Sequence, residues 1–149
     1  MNLVIFIGIQ ATGKSSFFRE RFFRTHVRIN LDMLKTRRRE SLLFTACMEG
    51  KAATVVDNTN LTRLDRARYI EPAREAGFSV HGYFFESKSA SAVARNAGRG
   101  EDERVPELAI RGAARKLELP SLVEGFDRLH FVKLADGGSF IVEDWRDEL

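Results

Sequence analysis

The sequence predicts a single α/β domain over residues 1–149, with a parallel sheet that carries helices on both faces. Five short apolar runs are separated by segments with the 3.6-residue periodicity of amphipathic helices. Strands that alternate with helices at this spacing pair in parallel. At 149 residues and 44% hydrophobic content, the chain has enough apolar material for one core. We therefore expect one domain rather than two.

Each element has its own local signal. The predicted strands cover residues 3–7, 27–30, 53–56, 78–85 and 128–134, and a turn at 136–138 allows an extra hairpin strand at 139–142. The predicted helices begin at 16 and cover 33–48, 62–76, 89–96 and 106–120. Thr62 and Asp65 form a capping box, and Gly77 ends that helix. Pro106 takes the favoured first-turn position of the last helix, and Pro120 closes it.

A glycine-rich loop, Gly8-Ile9-Gln10-Ala11-Thr12-Gly13-Lys14-Ser15, follows the first strand directly and precedes a helix that begins at Ser16. It fits G-x-x-x-x-G-K-[ST] at every fixed position, in the strand–loop–helix context that the motif requires. Successive N–H groups from Gly8 to Ser16 and the positive end of the helix bind phosphate. Lys14 would reach the β- and γ-phosphates, and the Ser15 hydroxyl would ligate Mg²⁺. The loop predicts binding of ATP with magnesium.

Polar residues also follow the second and third predicted strands. Asp32 is the best candidate general base, because a carboxylate there could accept a proton from an acceptor hydroxyl. It is also a suitable N-cap for helix 33–48, and the two roles are compatible. Asp57 is placed as a magnesium-side aspartate, while Asn58 or Asn60 could equally orient substrate. Since strand ends of a parallel sheet meet at one edge, these residues and the loop should share a cleft.

Two groups of basic residues are candidates for contact with substrates. Lys35, Arg37, Arg38 and Arg39 form a dense cluster that either binds the acceptor or is a solvated helix face. Arg95 and Arg99 stand beside the flexible-looking stretch 98–104. They could close over the triphosphate as a lid at residues 95–106 and stabilise transferring charge, although the two alone also fit a solvated helix end.

Composition narrows the class of protein further. The net charge is +3, but residues 1–75 hold 14 basic and 8 acidic side chains, whereas residues 76–149 hold 10 and 13. A basic N-terminal half favours a polyanionic ligand. The single cysteine, Cys47, excludes a disulfide framework and fits a reducing compartment. No apolar run reaches the length of a membrane span, so we expect a cytoplasmic protein that does not enter the membrane. The oligomeric state is not predicted.

The chain resembles the P-loop kinases related to phage-type polynucleotide 5′-hydroxyl kinases and their uncharacterised bacterial relatives. The resemblance covers nearly the whole chain, through residues 8–15, 30–32, 55–60, 95–100 with 105–106, and 119–126. The Arg-Asn-x-x-Arg-Gly spacing is its most specific part. It implies ATP as donor, Asp32 as general base, Arg95 and Arg99 as lid arginines, and a sheet order of 2-3-1-4-5. Such kinases tend to have arginine three residues after the catalytic aspartate, where this chain has Lys35, which keeps the charge but not the bidentate fork.

Three functions are compatible with these residues. The first is an ATP-dependent kinase that phosphorylates a hydroxyl, with the 5′ end of a nucleic acid favoured over a small metabolite because of the N-terminal charge excess and the 35–39 cluster. The second is a regulatory ATPase or switch that transfers phosphate only to water. The third is a degenerate binding module.

Overall fold

The structure, a computed structural model, describes residues 1–146. A six-stranded sheet forms its centre, in the order β2-β3-β1-β4-β5-β6. The strands are β1 (Asn2–Ile7), β2 (Val27–Ile29), β3 (Thr54–Val56), β4 (Ser79–Phe85), β5 (Arg128–Leu134) and β6 (Phe140–Asp144). The first five are parallel and β6 is antiparallel to β5. The predicted parallel order 2-3-1-4-5 and the C-terminal hairpin strand are therefore confirmed.

Helices cover both faces of this sheet. They are α1 (Lys14–Arg21), α2 (Leu31–Leu34), α3 (Arg37–Glu49), α4 (Arg63–Glu75), α5 (Ser89–Ala97) and α6 (Glu107–Lys116). Successive residues of β1 point to opposite faces, and residues 3–7 are at most 1% exposed. One face packs against α1 through Phe17 and Phe18, and the other packs against α3 and α4 through side chains such as Phe44 and Ile70.

The helix predicted over residues 33–48 is wrong as one unit, because the chain breaks at Lys35. Lys35 has φ 76°, a value that an α-helix cannot contain, so α2 and α3 are separate. Thr36 then caps α3 by accepting a hydrogen bond from the N–H of Arg39. The predicted cap of α2 is also wrong, since Asn30 accepts from the N–H of Met33 and Asp32 lies inside the first turn.

The predicted start of α4 is confirmed, whereas the predicted end of α6 is wrong. The Thr62–Asp65 capping box of α4 is present with both reciprocal hydrogen bonds. Helix α6 ends at Lys116, four residues before the predicted stop at Pro120. The N–H of Glu118 instead donates to the carbonyl of Leu61 at 2.8 Å, so a tertiary contact ends this helix.

The three histidines of the chain lie close together at the α1 face of the sheet. His130 stacks on Tyr83 with ring centroids 4.6 Å apart, and His26 Nε2 lies 2.7 Å from Asn2 Oδ1. Partial burial lowers the pKa of all three below the ordinary 6.5, and the neighbouring histidine charge lowers the pKa of His26 and His81 further. Arg128 lowers the pKa of His81 and His130, whereas Asp127 and Asp144 oppose these shifts.

Candidate active site

The glycine-rich loop joins β1 to α1 and wraps around the Lys14 side chain. Gly13 adopts φ 96°, and a Cβ at this position would lie 2.8 Å from the Phe140 ring, so only glycine fits. The Lys14 ammonium donates to the carbonyls of Gly8 at 2.9 Å and Ile9 at 2.6 Å. The ammonium is thus held in the loop and positioned where a phosphate bound by the loop amides would meet it.

Lys14 is the most strongly perturbed lysine in the described part of the chain. Its pKa is lowered from 10.5 to about 8, mainly by burial and also by the charge of Arg99, against the opposing effect of Asp57 and Asp32. Each of these charges acts on the Lys14 ammonium although the residues come from distant parts of the sequence. The loop, Asp32 in α2, Asp57 after β3 and Arg99 after α5 therefore meet in one place.

This place is an open cleft of about 1160 Å³ at the carboxyl ends of the strands. Most of the predicted site residues line it: Gln10, Ala11, Gly13, Lys14, Ser15, Ser16, Asp32, Lys35, Arg37, Asp57, Asn58, Asn60, Arg95 and Arg99. Gly8 and Thr12 lie behind the lining, and the Thr12 hydroxyl donates to the Ile9 carbonyl at 2.8 Å. Arg38 is exposed on α3 and is not among the residues that line the cleft.

Ser15 and Asp57 lie together at the bottom of the cleft. The Ser15 hydroxyl donates to Asp57 Oδ2 at 3.4 Å. A third residue, Arg28 of β2, was not identified from the sequence. Its guanidinium lies 2.8 Å from Asp57 Oδ2 and donates to Ser15 Oγ at 3.1 Å, while it packs over the Phe18 ring. The buried Asp57 carboxylate, 2% exposed, is therefore paired with a cation.

Two asparagines hold the segment that carries Asp32. Asn30 Nδ2 donates to the Asp57 carbonyl at the end of β3, and the Leu31 N–H donates to Asn58 Oδ1 at 2.9 Å. These contacts connect the start of α2 to β3, so they fix the position of Asp32 above the cleft. Both amides are therefore engaged in the fold, and substrate binding by Asn58 stays a prediction.

Glu40 lies at the centre of a buried cluster beside the part of the cleft that Arg37, Asn58 and Tyr69 line. Its carboxylate, 2% exposed, accepts from Tyr69 Oη at 2.6 Å, Arg37 Nη1 at 2.8 Å and Asn58 Nδ2 at 3.0 Å. Burial, together with the Glu40 hydrogen bond and charge, raises the pKa of Tyr69 to about 12, against an opposing effect of Arg37. Tyr69 thus stays a donor, and the cluster fixes both the Arg37 guanidinium and the Asn58 amide.

The predicted lid, residues 95–106, covers the last turn of α5 and the segment that leads to α6. Arg95 Nε donates to the Ala11 carbonyl at 2.6 Å, which ties α5 to the phosphate loop. Asn96 is 5% exposed and closes the connecting segment, because its amide donates to the Val105 carbonyl at 2.7 Å and accepts from the Val105 N–H at 3.0 Å. The Asn-x₈-Val spacing therefore corresponds to a backbone clamp that holds Arg95 and Arg99 at the cleft.

Asn60 and Arg66 support the cleft from below. Asn60 Nδ2 donates to the Phe6 carbonyl at 2.7 Å and the residue is 4% exposed, so its predicted contact with substrate stays untested and its amide is already engaged. Arg66 is fully buried and forms a bidentate pair with Glu124 at 2.8 and 3.1 Å, while Nη1 donates to the Asn60 carbonyl at 2.9 Å. Arg66 thereby joins α4 to the segment that follows α6.

The strand order and the phosphate loop at the end of β1 define a domain of the P-loop kinase class. The chain belongs to the family described as AAA domain, whose model matches residues 3–120.

The name of a curated relative is consistent with this class. The chain is 25% identical over 134 residues to a bifunctional polynucleotide phosphatase/kinase of Schizosaccharomyces pombe, and the match covers 87% of the chain but only 33% of that protein. The chain thus spans about a third of the length of this curated relative.

Two solved structures share the fold. One is Kti12 of Chaetomium thermophilum in complex with ADP-AlF3, with a TM-score of 0.67 and 14% identity, and the match covers 90% of each chain. The other is a gluconokinase of Sinorhizobium meliloti, with a TM-score of 0.66 and 18% identity over 91% of this chain and 83% of that one.

Among residues 1–146, no helix has the length and apolar character needed to cross a membrane.

Proposed function

We propose that this protein is an ATP-dependent kinase that transfers the γ-phosphate to a hydroxyl, with the 5′-hydroxyl of a polynucleotide as the favoured acceptor. The observation that carries the proposal is the convergence of Lys14, Asp32 and Arg99 on one cleft. Phosphoryl transfer needs cations on the phosphates and a group that orients or deprotonates the acceptor, and these residues are of the types that supply both.

The residues fit distinct roles. Lys14 and the loop amides would hold the β- and γ-phosphates, while Arg95 and Arg99 would cover the transferring group from the lid. Asp32 is exposed at the cleft and would accept the proton of the acceptor hydroxyl. Lys35, which follows α2, and Arg37, the first residue of α3, line the cleft and would bind a phosphate of the acceptor.

The donor set also suits magnesium. The Ser15 hydroxyl and the Asp57 carboxylate are hard oxygen ligands, and Mg²⁺ usually combines one or two such ligands with phosphate oxygens and water. When bound, the ion would neutralise charge on the phosphates. Since the Arg28 guanidinium lies on the same two oxygens, Arg28 and the ion would compete for them.

A polynucleotide acceptor is supported by the basic N-terminal half of the chain and by the likeness to a protein named polynucleotide phosphatase/kinase. A gluconokinase with the same fold makes a small hydroxylated metabolite the main competitor. A water-only ATPase is the competitor from another class, and it would have no need for Asp32 as a base.

The test is transfer of labelled γ-phosphate from ATP to 5′-hydroxyl DNA and RNA oligonucleotides with Mg²⁺. Asp32→Asn and Lys14→Ala should abolish transfer, while Asp102→Asn, a change of another cleft-lining carboxylate, should retain it. Acceptor affinity should fall steeply with added salt, because bound phosphates release counterions. Transfer to gluconate or another polyol alone would refute the nucleic-acid acceptor, and hydrolysis that is indifferent to Asp32→Asn would refute the kinase.

A further inference from the structure

We infer that the groove between α3 and α4 is a second acceptor subsite, which binds a base of the polynucleotide on the 3′ side of the phosphorylated nucleoside. The inference rests on the proposed function. The groove has a volume of about 470 Å³, which is within the usual range for small-molecule sites. Ser41, Thr45, Met48, Glu49 and Pro72 line it and have no role assigned above.

The groove adjoins the cleft. Arg37, Arg68 and Tyr69 line both cavities, so the two cavities border each other at these three side chains. Lys35 and Asp32 line the cleft, at the place proposed for the acceptor hydroxyl. An acceptor longer than one nucleotide would therefore cross these side chains from the cleft into the groove.

The junction of the two cavities is cationic and held in place. Arg37 Nη1 donates to Glu40 at 2.8 Å and to Tyr69 Oη at 3.1 Å, which uses one edge of the guanidinium. The fork geometry of arginine leaves the Nε and Nη2 donors for a ligand phosphate. Arg68 is exposed on the α4 side of the same junction. A phosphodiester fits between two such arginines.

Beyond the junction the groove has an apolar floor and a polar rim. Phe44, Met48 and Pro72 form the apolar part, and the exposed residues Ser41, Thr45 and Glu49 of α3 also line the groove. Aromatic and thioether side chains bind the face of a heterocycle, and hydroxyls can meet its polar edge. Hydroxyl, phosphate and base succeed one another along a polynucleotide in the same order as Asp32, the two arginines and the apolar groove. A small polyol does not have this alternation.

The test compares two acceptors of different length. A nucleoside 3′-monophosphate reaches only Asp32 and the junction, whereas a trinucleotide also reaches the groove. We expect the KM of the wild-type protein to be about tenfold lower for the trinucleotide, the size expected for one stacked base. A trinucleotide with an abasic second position should lose this advantage.

The variant Thr45→Trp fills the groove without removing a buried side chain. It should raise the KM for the trinucleotide to that for the nucleoside 3′-monophosphate, and leave both the KM for the monophosphate and the affinity for ATP unchanged. Leu42→Trp is the matched control, because Leu42 is 59% exposed on α3 and does not line the groove. It should retain the full preference for the trinucleotide.

The outcomes separate this inference from the proposed function. If both acceptors are phosphorylated but Thr45→Trp and the abasic base leave the preference intact, the groove is not a subsite. If both acceptors are phosphorylated with equal KM by the wild-type protein, the inference is overturned as well. If ATP binds and neither acceptor is phosphorylated, the proposed function has failed and the subsite with it.

Discussion

The lowered pKa of Lys14 predicts that ATP affinity falls as the pH rises from 7 to 9. In the nucleotide-free protein the Lys14 ammonium is buried among loop carbonyls, and its pKa is about 8. Bound phosphates favour the charged form, so the pKa of Lys14 is higher in the complex than in the free protein. Binding above pH 8 must therefore take up a proton, and this proton uptake weakens affinity as the pH rises.

The size of the effect follows from the fraction of Lys14 that is charged before binding. With a pKa of about 8, roughly nine-tenths of the free protein carries the charge at pH 7 and roughly a tenth at pH 9. The association constant should therefore fall about tenfold over this interval, which corresponds to about 1.4 kcal/mol. Below pH 7 the Lys14 contribution is complete and constant.

Titration calorimetry with a non-hydrolysable ATP analogue and Mg²⁺ at pH 7, 8, 9 and 9.5 measures this slope. Lys14→Arg and Lys14→Met are the matched variants, because a guanidinium stays charged throughout and a thioether never carries a charge. Both should bind more weakly than the wild-type protein and show no decline between pH 7 and 9. A wild-type affinity that is constant to pH 9.5, or a Lys14→Met variant that keeps the slope, would refute the assignment of the titration to Lys14.

Three further predictions concern residues around the cleft and the sheet. Glu40→Gln should lower the free energy of unfolding by about 1–3 kcal/mol in a denaturant titration, because it weakens a buried cluster of hydrogen bonds. In steady-state kinetics the same variant should raise the acceptor KM more than it lowers kcat. Arg28→Ala should lower the Mg²⁺ concentration that half-saturates nucleotide binding, because Asp57 and Ser15 lose a competing cation, whereas Arg19→Ala should not; an equal effect of both variants would exclude competition. The free energy of unfolding should fall as the pH drops from 7 to 5.5, because His26, His81 and His130 bind protons more readily in the unfolded chain than in the folded protein, where their pKa values are lowered. Substituting glutamine for any one of these histidines should make the free energy of unfolding less dependent on pH.

The order of elements could be predicted from the sequence because each has a local signal. The buried apolar runs, the Thr62–Asp65 capping box and Gly77 each depend only on residues a few positions away along the chain, and all three appear in the structure. The break at Lys35, where φ is 76°, has no such signal, since lysine is an ordinary helix residue. The early end of α6 likewise depends on a hydrogen bond to Leu61, more than 50 residues away.

The candidate site divides in the same way. The phosphate loop is contiguous, so its residues could be identified from spacing alone. Arg28 and Glu40 could not, because one is a single charge in a short strand and the other is the acid at the end of a run of three arginines. Their roles depend on Asp57 and Tyr69, which are 29 residues distant in each case. The signal that could have indicated a buried partner for Arg37 is the single acidic residue, Glu40, that directly follows the basic cluster.

The partners of the basic side chains explain why the two halves of the cleft should discriminate differently. On the donor side, Lys14 and Arg95 are held by neutral carbonyls of the phosphate loop, so their charge remains available to a triphosphate. Elsewhere Arg28 is paired with Asp57 and Arg37 with Glu40, so each pair contributes little net charge. Charges already held in position bind with less reorganisation, but a paired arginine adds less long-range attraction than a free one. Donor binding should therefore depend mainly on charge. The choice among acceptors that all carry phosphate should depend on the fixed geometry of Arg37 and on what the adjoining groove can accommodate.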